Sequence, residues 1–296
     1  MDVSVYLDVG GTYIKGKLIK DNRVDFDNYK EYGSKSEESK SVIIDNFINI
    51  IESLTEDESI NKVDYILMAF PGPFDYKKGI CKIKGLNKYA SLYGLNFIEI
   101  LRSALAKKHK YKYTNTKIKL INDAVAFAYG NYFKNKVEKG AYFTIGTGFG
   151  STFISKGEIF KGKYNIPKNG MLYDEVYRGK IIDDLISNRG IVDLSKKNGL
   201  SVSSSKELYN LAEMNDENAL KTFLEFGKIL SEILNKYLED YNPDEIVLAG
   251  QIVKSYKYFE KGMNLLLMDK YKKKLKINND TSKAIMYGLY RMKERG

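Results

Sequence analysis

The chain has a single cysteine, Cys81, among its 296 residues, and this scarcity excludes two kinds of site. One thiol cannot form an internal disulfide, and it cannot build a zinc site from several thiolates. A cysteine-poor composition is typical of a reducing, cytoplasmic setting. His109 is the only histidine and lies in the basic stretch AKKHKYKY, so we interpret it as a surface side chain rather than a catalytic base.

The sequence also lacks a long apolar run. No run approaches the roughly 20 residues that span a bilayer, and Asp2 and Asp8 interrupt any signal-peptide layout at the N-terminus. We therefore expect a soluble protein that is not exported and has no membrane partner. The net charge is +10, but the lysines are scattered among acidic residues, which indicates a solvated surface rather than a nucleic-acid groove.

Strand and helix patterns alternate in both halves of the chain. Helical spacing of apolar residues occurs at 41–54, 96–108, 217–239 and 282–295, and apolar strands occur at 63–70 and 243–250. Each half starts with two strands joined by a glycine turn. This repetition predicts an α/β fold with two related domains. We place them at 1–115, which the C-terminal helix 282–296 could complete, and at 116–281.

The two glycine turns are DVGGT at 8–12 and TIGTGFGS at 144–151. Glycine lets backbone amides approach an anion closely, and Thr12 and Thr147 add hydroxyl donors. Neither turn is a Walker A loop or a dinucleotide fingerprint, because strand follows strand. Glycine hairpins often bind nothing, so one turn alone favours a structural role. The pair indicates two clamps for a polyphosphate chain.

A third motif, LINDAVAFAYGN, places Asn122 and Asp123 where an apolar strand meets a helix. Both residue types are favoured as helix N-caps. A carboxylate at a strand end could equally act as a general base. The motif by itself leaves these two alternatives open.

The ordered set LDVGGTYIK, FPGPFD, LINDAVAFAYGN, TIGTGFGS and PDEIVLAGQI resembles the ROK family of sugar kinases over nearly the full length. The resemblance implies two actin-like, ribonuclease H-like α/β domains around an interdomain cleft, and a homodimer. Some members of that family are transcription regulators with a DNA-binding domain ahead of the first glycine loop. Here that loop begins at residue 7, which favours the kinase branch.

The resemblance implies that Asp123 is the catalytic base for a sugar hydroxyl, on C6, that attacks the γ-phosphorus of ATP. It implies that Asp8 holds Mg²⁺ through water. Lys15 matches a basic residue of the family, although a surface role is equally compatible with its strand position. The implied nucleotide-binding set is Asp8, Gly10, Gly11, Thr12, Lys15, Gly146, Thr147, Gly148, Gly250 and Gln251. The implied sugar-binding set is Gly72, Asn87, Asn122 and Asp123.

One segment departs from the family pattern. Most ROK kinases carry a sugar-binding glutamate and a zinc-binding histidine, and PKNGML at 167–172 has Lys168 and Met171 at those positions. The cysteine cluster is also absent, so no zinc site is expected. Asn165, Asn169 or Asp183 could supply the lost sugar contacts. We expect a glucokinase-like or N-acetylmannosamine kinase-like enzyme for a hexose or N-acetylhexosamine; the alternative is a catalytically weak sugar-sensing regulator of the same fold.

Overall fold

Two five-stranded sheets organise the chain, one in each of two units. The computed structural model describes residues 2–21, 23–85 and 88–295. Contacts between Cα atoms divide the chain into one unit of Met1–Gly130 with Ser282–Gly296, and a second of Asn131–Thr281. The α/β fold class predicted from the sequence is confirmed.

The strands are numbered in the order in which they occur along the chain. They are β1 Val3–Val9, β2 Tyr13–Lys20, β3 Lys30–Gly33, β4 Tyr65–Phe70, β5 Phe74–Asp75, β6 Ile80–Cys81, β7 Lys117–Asn122, β8 Lys139–Ile145, β9 Phe149–Ser155, β10 Glu158–Ile159, β11 Val176–Tyr177, β12 Lys180–Ile181, β13 Glu245–Ala249 and β14 Leu275–Ile277.

The helices are numbered in the same way. They are α1 Lys40–Leu54, α2 Phe97–Lys108, α3 Lys110–Tyr113, α4 Asp123–Asn135, α5 Asn188–Lys197, α6 Ser205–Glu213, α7 Glu217–Leu238, α8 Tyr256–Leu266, α9 Asp269–Lys272 and α10 Thr281–Glu294. Across the part of the chain that the structure describes, no helix combines the length and hydrophobicity that a membrane crossing requires.

The first sheet has the strand order β3-β2-β1-β4-β7. An antiparallel hairpin, β1 with β2, continues into the parallel strands β4 and β7. Alternate residues of β1 face opposite sides. Val3, Val5, Leu7 and Val9 enter the core that α1 and α2 cover, while Tyr6 points to the other side and meets Tyr290 of α10. Because β1, β4 and β7 run parallel to one another, their carboxyl ends lie along one edge of the sheet.

The second sheet repeats this plan. Its order is β10-β9-β8-β13-β14, with an antiparallel hairpin of β8 and β9 followed by the parallel strands β13 and β14. Its core receives the apolar side of the long helix α7, including Phe223, Phe226 and Leu230. Each unit thus carries a glycine turn between the two strands of its hairpin.

The domain boundary predicted at residue 115/116 lies too early. Strand β7 pairs with β4 in the first sheet, from Tyr65 opposite Lys117 to Phe70 opposite Asn122. The unit boundary instead follows Gly130, within α4. The polar stretch HKYKYTNTK, which resembles a linker by composition, forms α3 and a surface turn that leads into β7.

Helices α4 and α10 approach each other at two glycines. A Cβ atom built on Gly130 would overlap the carbonyl oxygen of Ala284, and one built on Gly288 would overlap that of Ala126. Backbone carbonyls cannot move aside as the end of a flexible side chain can. The two glycines therefore set the distance between α10 and the helix that starts at Asp123.

We predict that Gly288→Ala destabilises the protein, although alanine is the better helix former by about 1 kcal/mol. Forcing a methyl group into this contact costs about 1–3 kcal/mol, which outweighs the gain. Urea unfolding should show the loss. Gly33→Ala is the matched control, because nothing lies within 4 Å of a Cβ at that position. Equal stability of both variants would contradict the packing argument.

Candidate active site

Two carboxylates lie at one edge of the first sheet. Asp8 of β1 is opposite Ala69 of β4, which is opposite Ile121 of β7. Asp123 follows β7 directly and is the first residue of α4. Neighbouring strands are roughly 4.8 Å apart, so the backbones of Asp8 and Ile121 lie about two strand spacings from each other, and Asp123 follows two residues beyond Ile121. The structure brings these two predicted residues to the same edge.

The first glycine turn is fixed by hydrogen bonds to its carbonyl groups. The Gly11 oxygen accepts from Ser34 Oγ at 2.8 Å and from Ser36 Oγ. The Thr12 oxygen accepts from the Ser34 amide at 2.9 Å. These serines belong to GSKS after β3, and the sequence analysis did not identify them. Neither motif recognition nor residue spacing indicates such a contact.

Tyr89 holds the third carbonyl group of the turn. Its hydroxyl donates to the Gly10 oxygen at 2.9 Å, and its buried ring packs on Phe70 at 4.8 Å between centroids. Burial raises the pKa of the Tyr89 phenol well above its usual range, so the hydroxyl stays protonated as a donor. In a trans peptide, C=O and N–H point in opposite directions. The amides of Gly11 and Thr12 therefore point away from Tyr89 and the serines, and Thr12 itself is exposed.

Asn122 and Asp123 have different local roles. The sequence left open whether these residues cap the helix or act in catalysis, and the contacts of Asn122 assign the cap to it. The Asn122 Oδ1 atom accepts from the Val125 amide at 3.2 Å, so Asn122 caps α4. The Oδ1 atom of Asp123 accepts from the Ala124 amide at 2.9 Å. Asp123 is half-buried, and burial raises its pKa above the ordinary value. Its carboxylate is not the helix cap.

Gly72 lies beside this pair. A Cβ on Gly72 would be 3.0 Å from the hydroxyl of Tyr76 and 3.6 Å from Nδ2 of Asn122. Asn122 Nδ2 donates to the Tyr76 hydroxyl at 3.0 Å, and that hydroxyl donates to the Phe70 carbonyl at 3.0 Å. The structure thus groups Gly72, Asn122 and Asp123, and adds Tyr76, which the sequence analysis missed. Asn87 lies outside the described residues.

Lys15 has a contact within the same unit. Its Nζ atom donates to Ser282 Oγ at 3.0 Å and lies 4.0 Å from Glu31. Since Ser282 is in the first turn of α10, Lys15 joins β2 to that helix. This contact favours the surface role that the sequence left open for Lys15.

The second glycine turn is held by a carboxylate. Asp183 Oδ1 accepts from the Phe149 amide at 2.6 Å, and its other oxygen contacts Arg189 of α5. Burial raises the pKa of Asp183, while the Phe149 amide and Arg189 act against that rise. The Gly146 oxygen accepts from the Asn188 amide at 2.8 Å. Asp183 therefore supports the turn, instead of the sugar contact considered from the sequence.

The predicted nucleoside segment lies next to this second turn. Strand β13 runs parallel to β8, with Ala249 opposite Thr144. Gly250 has φ +104, and a Cβ there would be 2.8 Å from the Ile145 amide nitrogen, so only glycine fits. A Cβ on Gly146 would be 3.9 Å from the Gln251 amide. The structure groups Gly146, Thr147 and Gly148 with Gly250 and Gln251.

Asn169 and its neighbours form a local turn. Asn169 Oδ1 accepts from the Met171 amide at 2.9 Å, and the Leu172 amide donates to Ser151 Oγ at 2.9 Å. Lys168 and Asn169 are exposed. In residues 2–21, 23–85 and 88–295, no group of three or more His, Cys, Asp or Glu side chains could hold a metal ion. A single carboxylate such as Asp8 remains compatible with magnesium, which binds mainly through water and substrate phosphates.

We predict that Tyr89→Phe lowers the free energy of unfolding by about 1–3 kcal/mol, because the Gly10 carbonyl loses its donor in a buried setting. Chemical denaturation measures the loss. Tyr93→Phe is the control, since that ring is 53% exposed. If Tyr89→Phe is as stable as the wild type, the hydroxyl does not hold the turn.

Comparison with known proteins places this arrangement in a family. The xylose repressor of Bacillus subtilis (strain 168) is 27% identical over 274 residues, which are 86% of this chain and 65% of the repressor. The chain thus spans slightly less than two thirds of that protein's length.

Solved structures share the fold. A glucokinase from Parabacteroides distasonis has a TM-score of 0.73 and 18% identity, covering 99% of this chain and 98% of that one. A ROK family glucokinase from Streptomyces griseus, in complex with glucose and AMPPNP, has a TM-score of 0.69 and 14% identity, covering 99% and 100%. The sequence model of the ROK family matches residues 4–285. The chain belongs to the ROK family.

Proposed function

We propose that the protein is an ATP-dependent sugar kinase that transfers the γ-phosphate to a hydroxyl of a hexose or N-acetylhexosamine, on C6. The observation that carries this proposal is the position of Asp123. Its half-buried carboxylate stands at the same sheet edge as Asp8 and beside Asn122 and Gly72. Membership of a family that includes sugar kinases supports the proposal.

Asp123 is the general base. Its carboxylate takes the proton of the sugar hydroxyl while that oxygen forms a bond to the γ-phosphorus. The bond from phosphorus to the bridging oxygen breaks, and ADP leaves with the electron pair. A base works best when its pKa is near the operating pH, and burial shifts the pKa of Asp123 in that direction.

We assign the binding of the nucleotide phosphates to backbone amides. The amides of Gly11 and Thr12 are oriented by the hydrogen bonds to their neighbouring carbonyls, and glycine leaves space for an anion. In the second unit, Gly146, Thr147 and Gly148 form a comparable turn beside Gly250 and Gln251, which we assign to the nucleotide. Asp8 would hold waters of Mg²⁺, which neutralises phosphate charge when bound.

Polar groups next to the base orient the sugar. One N–H of the Asn122 amide is engaged by Tyr76, and an amide group carries a second N–H that can donate to a sugar oxygen. A side chain at Gly72 would crowd the Tyr76 hydroxyl that engages this amide. Asn169 stays a proposed sugar contact. The sugars to test first are glucose, mannose, N-acetylglucosamine and N-acetylmannosamine.

A second candidate function is a sugar-sensing regulator. It is favoured by the 27% identity with a xylose repressor and by Lys168 and Met171 in the segment that carries sugar contacts in most kinases of the family. Such a protein binds sugar without phosphorylating it. Sugar binding with no ADP release on any sugar would favour this second function.

We predict that Asp123→Asn lowers sugar-dependent ADP release by about 100-fold or more, the usual contribution of a general base. A coupled assay over the sugar panel measures it. Asp45→Asn, at an exposed position on α1, is the matched control and should keep full activity. Undiminished turnover by Asp123→Asn would remove Asp123 from the mechanism.

The pH dependence follows from the same residue. Asp123 must be ionised to accept a proton, so kcat/KM falls as the pH drops through its pKa. Because burial raises that pKa, we expect the acid limb above the ordinary aspartate value of about 3.9. A kcat/KM profile from pH 4 to 8 measures it. A limb at or below the ordinary value would contradict the assignment, as would an unchanged limb in the residual activity of Asp123→Asn.

A further inference from the structure

Lys88 lies across the first glycine turn. A Cβ built on Gly11 would be 2.7 Å from both Cε and Nζ of Lys88, so the missing side chain at Gly11 makes room for the lysine. The distance from such a Cβ to the amide nitrogen of its own residue is fixed by covalent geometry. The Lys88 ammonium is therefore within about 5 Å of the Gly11 amide nitrogen. An anion bound to that amide would be within reach of the ammonium.

The backbone that carries Lys88 is fixed against the same turn. The next residue, Tyr89, donates its amide to the Ser36 carbonyl at 2.6 Å and its hydroxyl to the Gly10 carbonyl at 2.9 Å. Tyr89 is fully buried in the aromatic core with Phe70. The backbone from which the lysine stem extends over Gly11 is thus held by packing and hydrogen bonds of the neighbouring residue.

The Lys88 ammonium has no ion-pair or hydrogen-bond partner among the residues that the structure describes. The residue is also half-buried. Withdrawing a cation from water is costly unless an opposite charge compensates for it. A phosphate group bound by the turn would supply that charge. Lysine suits this task, since its ammonium offers three donors around a compact charge.

We propose that Lys88 binds the terminal phosphate of the phosphoryl donor together with the Gly11 and Thr12 amides. The identity of the donor rests on the proposed function, while the phosphate site itself does not depend on turnover. Charge spreads over the oxygens of the transferred group in phosphoryl transfer. Lys88 is therefore a catalytic residue that touches the γ-phosphate, and not a solvated surface lysine.

The test measures anion binding without turnover. Titration calorimetry compares inorganic tripolyphosphate, AMPPNP and AMP on the wild type and on Lys88→Met. We expect tripolyphosphate and AMPPNP to bind about tenfold more weakly or worse, as for a lost charge-assisted hydrogen bond, and AMP to bind as before. Lys88→Arg keeps the charge and should stay within about threefold of the wild type.

Lys84→Met is the matched control, because Lys84 is an exposed lysine of the same segment whose ammonium lies over Tyr93. Unchanged tripolyphosphate binding by Lys88→Met, or an equal loss in Lys84→Met, overturns the proposal, as does a wild type that binds neither anion. If Lys88→Met melts at a lower temperature than the wild type, tripolyphosphate binding is compared in Lys88→Gln and Lys88→Arg. The proposal requires that the neutral variant binds weakly and the charged variant binds well. Weaker binding in Lys88→Met with no sugar turnover in the wild type would leave the phosphate site standing and reject the kinase.

Discussion

The orientation of three peptide groups in the first glycine turn is the constraint on which the rest of this site depends. The carbonyls of Gly10, Gly11 and Thr12 all accept hydrogen bonds from within the first unit, which turns the following amides the other way. Because its amides are already oriented, the loop would bind the proposed phosphate with little further loss of conformational entropy. Because Tyr89 makes one of these bonds from the aromatic core, the geometry of the loop depends on the packing of the core.

Asp123 in the first unit and Asp183 in the second have different roles. At the end of β7, Asn122 caps the helix, so the capping task does not fall to the carboxylate of Asp123. In the second unit, Asp183 accepts from the amide that follows the glycine turn and pairs with Arg189. The carboxylate of Asp123 is thereby available for the proposed role of general base, and that of Asp183 holds a loop in place.

Much of the fold could be predicted because its signals are local. Glycine turns between alternating strands, and an apolar strand running into ND and a helix, gave the two hairpins, the α/β class and the position of Asp123. The contacts that complete the site could not be predicted, because they join distant parts of the chain. Tyr89 is 79 positions from Gly10, and Tyr76 is 46 positions from Asn122. The boundary error had the same origin, since only strand pairing shows that β7 belongs to the first sheet.

The central claim is that this chain moves a phosphoryl group from ATP to a sugar. Phosphorus NMR on the wild-type protein with ATP, Mg²⁺ and each sugar of the panel in turn tests it most directly. The account predicts, with at least one sugar, a new sugar-phosphate resonance that grows in equal amount with ADP. ATP that stays intact with every sugar, or that yields only inorganic phosphate, would contradict it.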